Sequence, residues 1–246
     1  MDIKKLAEEG RTKEIERQLM DLDSKFSFKC RKCGKCCKHQ NTILFNSRDI
    51  FNIAYKLQMT PEEVINKYAE TYIGSTSKIP VVHMVPCGKN EVCPFLENGL
   101  CSIHDCKPTV CALFPLGRVV VNAVALEKGL EDSQLEVKYI LNDIDCGSRK
   151  RVNTVRGWLA RFGIPDEFFL LWSTLTIKLR TMICELEEHH VPDEVLNLFW
   201  NAIFHTLYLD YDTSKEFLPQ FQQAAEKLTT LCKGVMEVGT LFPPEQ

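Results

Sequence analysis

Nine of the twelve cysteines lie between Cys30 and Cys111, and four of them crowd the eight-residue stretch "CRKCGKCC" at 30–37. Thiols packed this closely are joined as disulfides, gathered around metal or kept reduced, and each choice dictates a different fold. At about 5% cysteine over 246 residues, the chain lies below the density of small secreted disulfide scaffolds. Its 45% hydrophobic content can bury a sizeable core without such staples. The opening "MDIKKLAEEGRTKEIERQLMDLDSKF" reads as a charged amphipathic helix without the apolar centre of a secretory signal. No run approaches the roughly 18 apolar residues of a membrane span. A cytoplasmic location is the resulting expectation, and there clustered cysteines point to metal or catalysis.

A C-x-x-C pair can bring two thiolates onto one ion, because the intervening turn lets both sulfurs converge. Structural zinc sites combine two such pairs around a tetrahedral ion. Here the spacing runs on as C-x-x-C-G-x-C-C, which is also close to the run that wraps an iron–sulfur cluster. Gly34 suits a backbone curling around metal, where a positive φ is often needed. The adjacent Cys36 and Cys37 are expected to point apart. They would then serve two metal positions, or one ligand and one packing or redox role.

The second group lies in "CPFLENGLCSIHDCKPTVCALFP". Cys93 and Cys101 bracket a turn at Asn98-Gly99, while Cys106 and Cys111 flank a helix start set by Pro108. A site made from the first cluster plus Cys93, Cys101 and Cys111 would tie distant loops together and make metal part of the folding energy. Lys29, Arg31, Lys32, Lys35 and Lys38 could offset the charge of about −2 on a four-thiolate site, or simply line a solvated loop. His39, His83 and His104 are weaker candidates to complete a Cys₃His site. Cys184 and Cys232 stand alone in helical segments and read as packing residues.

Periodicity predicts an α+β chain, predominantly helical. A Cys-rich metal-binding half carries a few short strands, and a helical half follows. Residues 1–24 are the amphipathic helix, 25–150 the cysteine-cluster domain and 151–246 the helical C-terminal region. Ser47 is expected to cap a helix from Arg48 to about Gln58, and Thr60, Pro61 and Glu63 form the start of the next. "KIPVVHMVPCG", "GRVVVNAVALEKG" and "QLEVKYIL" read as strands. Later helices are expected over 153–162, 166–188, 193–209 and 214–232, punctuated by Pro165, Pro192 and Asp212.

"FKCRKCGKCC" followed by "CPFLENGLCSIHDCKPTVCALFPLG" resembles the bacterial and archaeal YkgJ-type cysteine-cluster family, a zinc- or iron-chelating domain shared with flagellin lysine N-methylases. The resemblance spans roughly residues 25 to 170. It implies Cys30, Cys33, Cys36, Cys37, Cys93, Cys101 and Cys111 as metal ligands, with Cys146 next. Cys87 and Cys106 are additions with open roles. His104, Lys107 and Ala112 replace residues expected of the family as Tyr, Arg and Arg.

Three functions are compatible with these residues. The first is a protein binding zinc, iron or an iron–sulfur centre such as [4Fe–4S], with an undefined cellular role. The second, implied by the resemblance alone, is an iron–sulfur-dependent lysine N-methylase using S-adenosylmethionine. The third is a zinc-stabilised interaction module. A protein partner or substrate is compatible with each. Neither a membrane nor nucleic acid is expected as partner, since the net charge is −3 and no second basic stripe matches the patch at 25–38.

Overall fold

The computed structural model describes residues 19–38, 42–121, 136–142, 146–164 and 166–241, with side chains as far as 235. Most of the helix expected at 1–24 therefore lies outside the described residues, as does His39. The remainder is α+β, with seven α-helices among the described residues and short strands in small antiparallel sheets.

Strand β1 (Lys25–Lys29) pairs with β9 (Ser148–Thr154), and β7 (Leu116–Val121) with β8 (Glu136–Leu141). Strand β4 (Pro80–Met84) is flanked by β2 (Leu44–Phe45) and β3 (Ala69–Ile73). A two-residue hairpin joins β5 (Leu96–Glu97) to β6 (Leu100–Cys101). Both its turn residues have positive φ, 49° at Asn98 and 78° at Gly99, the conformation that favours Asn-Gly in tight hairpins.

Helix α1 (Ser47–Leu57) begins one residue earlier than expected, because Asn46 rather than Ser47 is its cap. The Asn46 side chain accepts from the Asp49 N–H, and Asp49 accepts from the Asn46 N–H in return. That reciprocity satisfies two donors at once. Ser47 instead faces inward, fully buried, and donates to the Leu207 carbonyl. Helix α2 (Pro61–Tyr68) has the expected Thr60–Glu63 capping box. Then come α3 (Thr109–Leu113), α4 (Val155–Phe162), α5 (Asp166–Glu188) and α6 (Asp193–Phe204). A π-turn at His205–Leu209 prolongs α6, and α7 spans Phe217–Leu241. No helix among the described residues is long and apolar enough to cross a membrane.

Two apolar clusters organise these elements. The larger draws Ile50, Ile53, Val64, Val82, Met84 and Ile103 together with Leu179, Ile183, Ile203 and Phe221, so both sides of residue 150 share one core. The smaller gathers Phe26 and Phe28 of β1, Tyr139 of β8, and Trp158 and Leu159 of α4 around Leu113 and Leu116. The segment carrying Cys111 runs between the two.

The five-residue helix α3 is too short to persist by itself, since helix nucleation is unfavourable. Side chains from elsewhere hold it at both ends. Asp49 Oδ1 accepts from Thr109 N (2.8 Å) and Thr109 Oγ1 (2.6 Å). At the other end, Trp158 Nε1 donates to the carbonyls of Ala112 (3.2 Å) and Leu113 (3.1 Å). Asp49→Ala would orphan two N–H groups and a hydroxyl, with an expected loss of about 2–4 kcal/mol in urea unfolding at pH 7. Burial pushes the Asp49 carboxyl up to about 6 against the pull of these donors. Folding thus retains its proton, a contribution fully present below about pH 4 and lost as pH rises through about 6. The gap between native protein and variant should accordingly widen toward pH 4.

Candidate metal centre

The first cysteine stretch leaves β1 at Lys29 and folds into a 3₁₀ turn over Lys35–Cys37, none of whose residues is buried. Gly34 enters that turn at φ 67°, in the left-handed region that glycine tolerates best. Cys36 and Cys37 do not diverge as expected. Their sulfurs are 4.0 Å apart, because the tight turn directs both side chains to one side. Sulfurs bound to one zinc at about 2.3 Å stand about 3.8 Å from each other across the tetrahedron. This pair is thus spaced for a single ion.

The second group closes on this turn. The Cys93 N–H donates to the Cys37 carbonyl (2.9 Å), which joins the two stretches by backbone. The side chain of Leu96, directly across the hairpin from Cys101, lies against Gly34, 3.7 Å from where a β-carbon would sit. Cys93, Cys101, Cys106 and Cys111 are half-buried against the larger core, whereas Cys30, Cys33 and Cys36 are exposed. Core packing fixes one wall of the site; the other is an exposed loop.

Electrostatics shows which thiols share a neighbourhood. Burial pushes the Cys93, Cys101 and Cys111 thiols up, and mutual repulsion among Cys36, Cys93 and Cys101 adds to it. Cys36 is brought down to about 6, first by a hydrogen bond from Cys37 and then by the Lys107 ammonium, while Cys37 moves up in return. Lys107 interacts with Cys111, Cys101, Cys30 and Cys36, and its Nζ rests 4.1 Å from the Phe162 ring centroid. A cation held on an aromatic face amid thiols is suited to offset thiolate charge. Sequence reasoning gave that role to the lysines of the first loop and passed over Lys107, though it stands between Cys106 and Pro108. Asp49 was missed as well, hidden behind Ser47 as the presumed cap.

Other predicted residues are more dispersed. Cys30 follows β1 and its sulfur accepts from the Lys32 N–H (3.3 Å). Cys146 is half-buried just before β9, whose Ser148 pairs with Lys29, so both cysteines flank the same end of the ribbon. Gly147 makes this possible: at φ 74°, any β-carbon there would meet Phe28 at 2.4 Å. Cys87 is exposed and forms an isolated bridge with Val92. The Cys106 thiol is pushed up to about 11 by burial and then by Asp105. His83 contacts Glu70 (3.0 Å) on the three-stranded sheet. His104 lies 6.2 Å from the Phe162 ring, and burial, Lys107 and Lys32 lower its proton affinity. Cys232 is buried in α7 and Cys184 half-buried in α5, both remote from the cluster in the chain. Among the described residues, no three His, Cys, Asp or Glu side chains meet at ion-binding distance.

The donor chemistry nonetheless fits zinc or iron, since clustered soft thiolates select zinc and iron–sulfur centres over hard cations. Residues 29–136 match the CxxCxxCC family model, described as "Putative zinc- or iron-chelating domain". That stretch is similar to the CxxCxxCC domain. The matched stretch takes in all nine clustered cysteines from Cys30 to Cys111 and leaves Cys146, Cys184 and Cys232 outside. No curated protein and no solved structure matches the chain.

Proposed function

We propose that this protein binds zinc or iron, the latter as an ion or an iron–sulfur cluster, in one centre built on Cys36, Cys37, Cys93, Cys101 and Cys111. Cys30, Cys33 and Cys146 border that centre, and Cys87 and Cys106 lie outside it. The observation carrying this reading is the 4.0 Å Cys36–Cys37 sulfur pair, joined by the Cys93–Cys37 backbone hydrogen bond to the second group. Five thiols exceed the four of a single tetrahedral ion, which leaves one for redox or exchange, or for a second metal position. Completing the site requires the exposed 30–38 loop to draw its side chains inward toward the core-supported wall. Bound zinc would supply folding energy, and a cluster would add electron transfer.

Lys107 would offset thiolate charge, and the Asp49 and Trp158 side chains would hold Cys111 in place. A cytoplasmic location accords with reduced thiols available for metal. Methyl transfer from S-adenosylmethionine rests on the shared domain alone, and labelled cofactor with candidate acceptor proteins would test it separately. The metal reading is tested by purifying the protein without oxygen and measuring zinc, iron and acid-labile sulfide. Stoichiometric zinc, or iron with sulfide and broad absorption near about 400 nm, is the expected result. A protein that stays colourless and metal-free after incubation with either metal would refute the reading.

A further inference from the structure

The structure brings together two basic segments that are more than a hundred residues apart in sequence. Strand β1 contributes Lys25 and Lys29, and the loop after it Arg31, Lys32 and Lys38; its partner β9 contributes Arg149, Lys150 and Arg151. The pairing is irregular. Ser27 faces Val152 and Lys29 faces Ser148, so the three basic residues of β9 stand opposite Phe28 alone. They form a bulge, all three exposed, with Asn153 Nδ2 donating to the carbonyls of Phe28 (2.9 Å) and Arg151 (3.2 Å). Bulges of this kind re-aim side chains away from the ladder.

Among the described residues, the patch lacks a paired counter-charge. No acidic residue occurs in 24–48 before Asp49, or in 146–165 before Asp166, in a chain with 33 of them. Several cations elsewhere are matched: Arg156 with Asp23, Lys138 with Asp21 and Glu136, Lys56 with Asp105, Lys78 with Glu187. Lys25, Lys29, Arg31, Lys32, Lys38, Arg149, Lys150 and Arg151 form no ion pair among the described residues. Five cations on the ribbon and three on the loop that follows β1 repel each other unless a polyanion covers them.

We propose that the β1–β9 ribbon binds the phosphate backbone of double-stranded nucleic acid. Phe26 and Phe28 point into the core, so Lys25, Ser27 and Lys29 face outward beside the bulge. Cations interspersed with small hydroxyl side chains are the residues that contact phosphates without reading sequence. The ribbon's aromatic rings are buried, which disfavours the stacking used on single strands. Val152 is its exposed large apolar side chain, too little for the aromatic anchors of a protein interface or for insertion into lipid. The sequence expectation against nucleic acid rested on the net charge of −3 and on the lack of a second basic stripe or an aromatic platform, and strand pairing supplies the stripe.

The test is fluorescence anisotropy of the full-length protein with a labelled duplex of mixed sequence, at a series of salt concentrations. The native protein should bind with a steep inverse dependence on salt. Arg149→Ser/Lys150→Ser/Arg151→Ser should weaken binding at least about tenfold at low salt and flatten the log–log slope by roughly 2–3. Metal content and helical circular dichroism should not change. Lys150→Glu alone, at the middle of the bulge, provides the same readout should the triple variant fail to fold. Absence of salt-sensitive duplex binding, or binding insensitive to Lys150→Glu, would overturn the proposal. So would equal competition, charge for charge, by polyglutamate or by vesicles containing phosphatidylserine, which would assign the patch to an acidic protein or a membrane surface.

Discussion

Cys111→Ser is expected to lower metal affinity by more than about 100-fold and to destabilise the protein in the same step. Losing only a side chain behind a ligand costs about 10–100-fold, and Cys111 is proposed as a ligand. Its half-buried thiol lies in α3, between the larger core and the Asp49 and Trp158 anchors. With that sulfur gone, the rigid wall keeps its shape but loses its innermost donor. A loss of about 3 kcal/mol would lower the melting temperature by roughly 6–12 °C in a chain of this size. Cys184→Ser, on the half-buried surface of α5, should shift neither metal content nor melting by a comparable amount. Calorimetry and metal analysis of the two variants side by side check this, and equal behaviour would remove Cys111 from the centre.

Removing the metal should loosen residues 30–38 and leave most of the helical structure intact. The larger core contains no residue from that loop, so α1, α2 and α5–α7 retain their packing without it. Among the described residues, the loop is tied to the second cysteine group by the Cys93–Cys37 hydrogen bond and the contact of Leu96 with Gly34, with none of its 3₁₀ turn buried. Segments held this sparsely open at low free energy. Arg31, Lys32, Lys35 and Lys38 make the loop cleavable by trypsin once it opens. A metal contribution of only about 3 kcal/mol to loop closure would change the open population by more than 100-fold, well below the 10–16 kcal/mol seen for structural zinc in small peptides. Chelation should therefore accelerate cleavage in the loop at least about tenfold, with little change in far-ultraviolet circular dichroism. Unchanged cleavage would mean that the loop does not hold the metal.

The parts of this fold visible in sequence are those set by local rules. The Thr60–Glu63 box, the Asn98-Gly99 turn and the span of α5 each depend on residues a few positions apart. Strands β1 and β9 were not legible. Their pairing joins residues more than a hundred positions apart, and the basic tripeptide in β9 has no alternation to betray a strand. Helix α4 consequently starts at Val155 rather than 153, since the preceding residues belong to the ladder. The candidate site divides the same way. Spacing nominated its cysteines, but whether Cys36 and Cys37 converge depends on a 3₁₀ turn that no pattern announced. Lys107 and Asp49 act across long separations and were equally hidden.

The central claim is that Cys36, Cys37, Cys93, Cys101 and Cys111 supply sulfur to one centre. X-ray absorption at the edge of the bound metal, on anaerobically purified protein, counts those neighbours directly. The account predicts about four sulfur neighbours at about 2.3 Å, whether the metal is zinc or cluster iron. A shell dominated by nitrogen and oxygen near about 2.0–2.1 Å would contradict it.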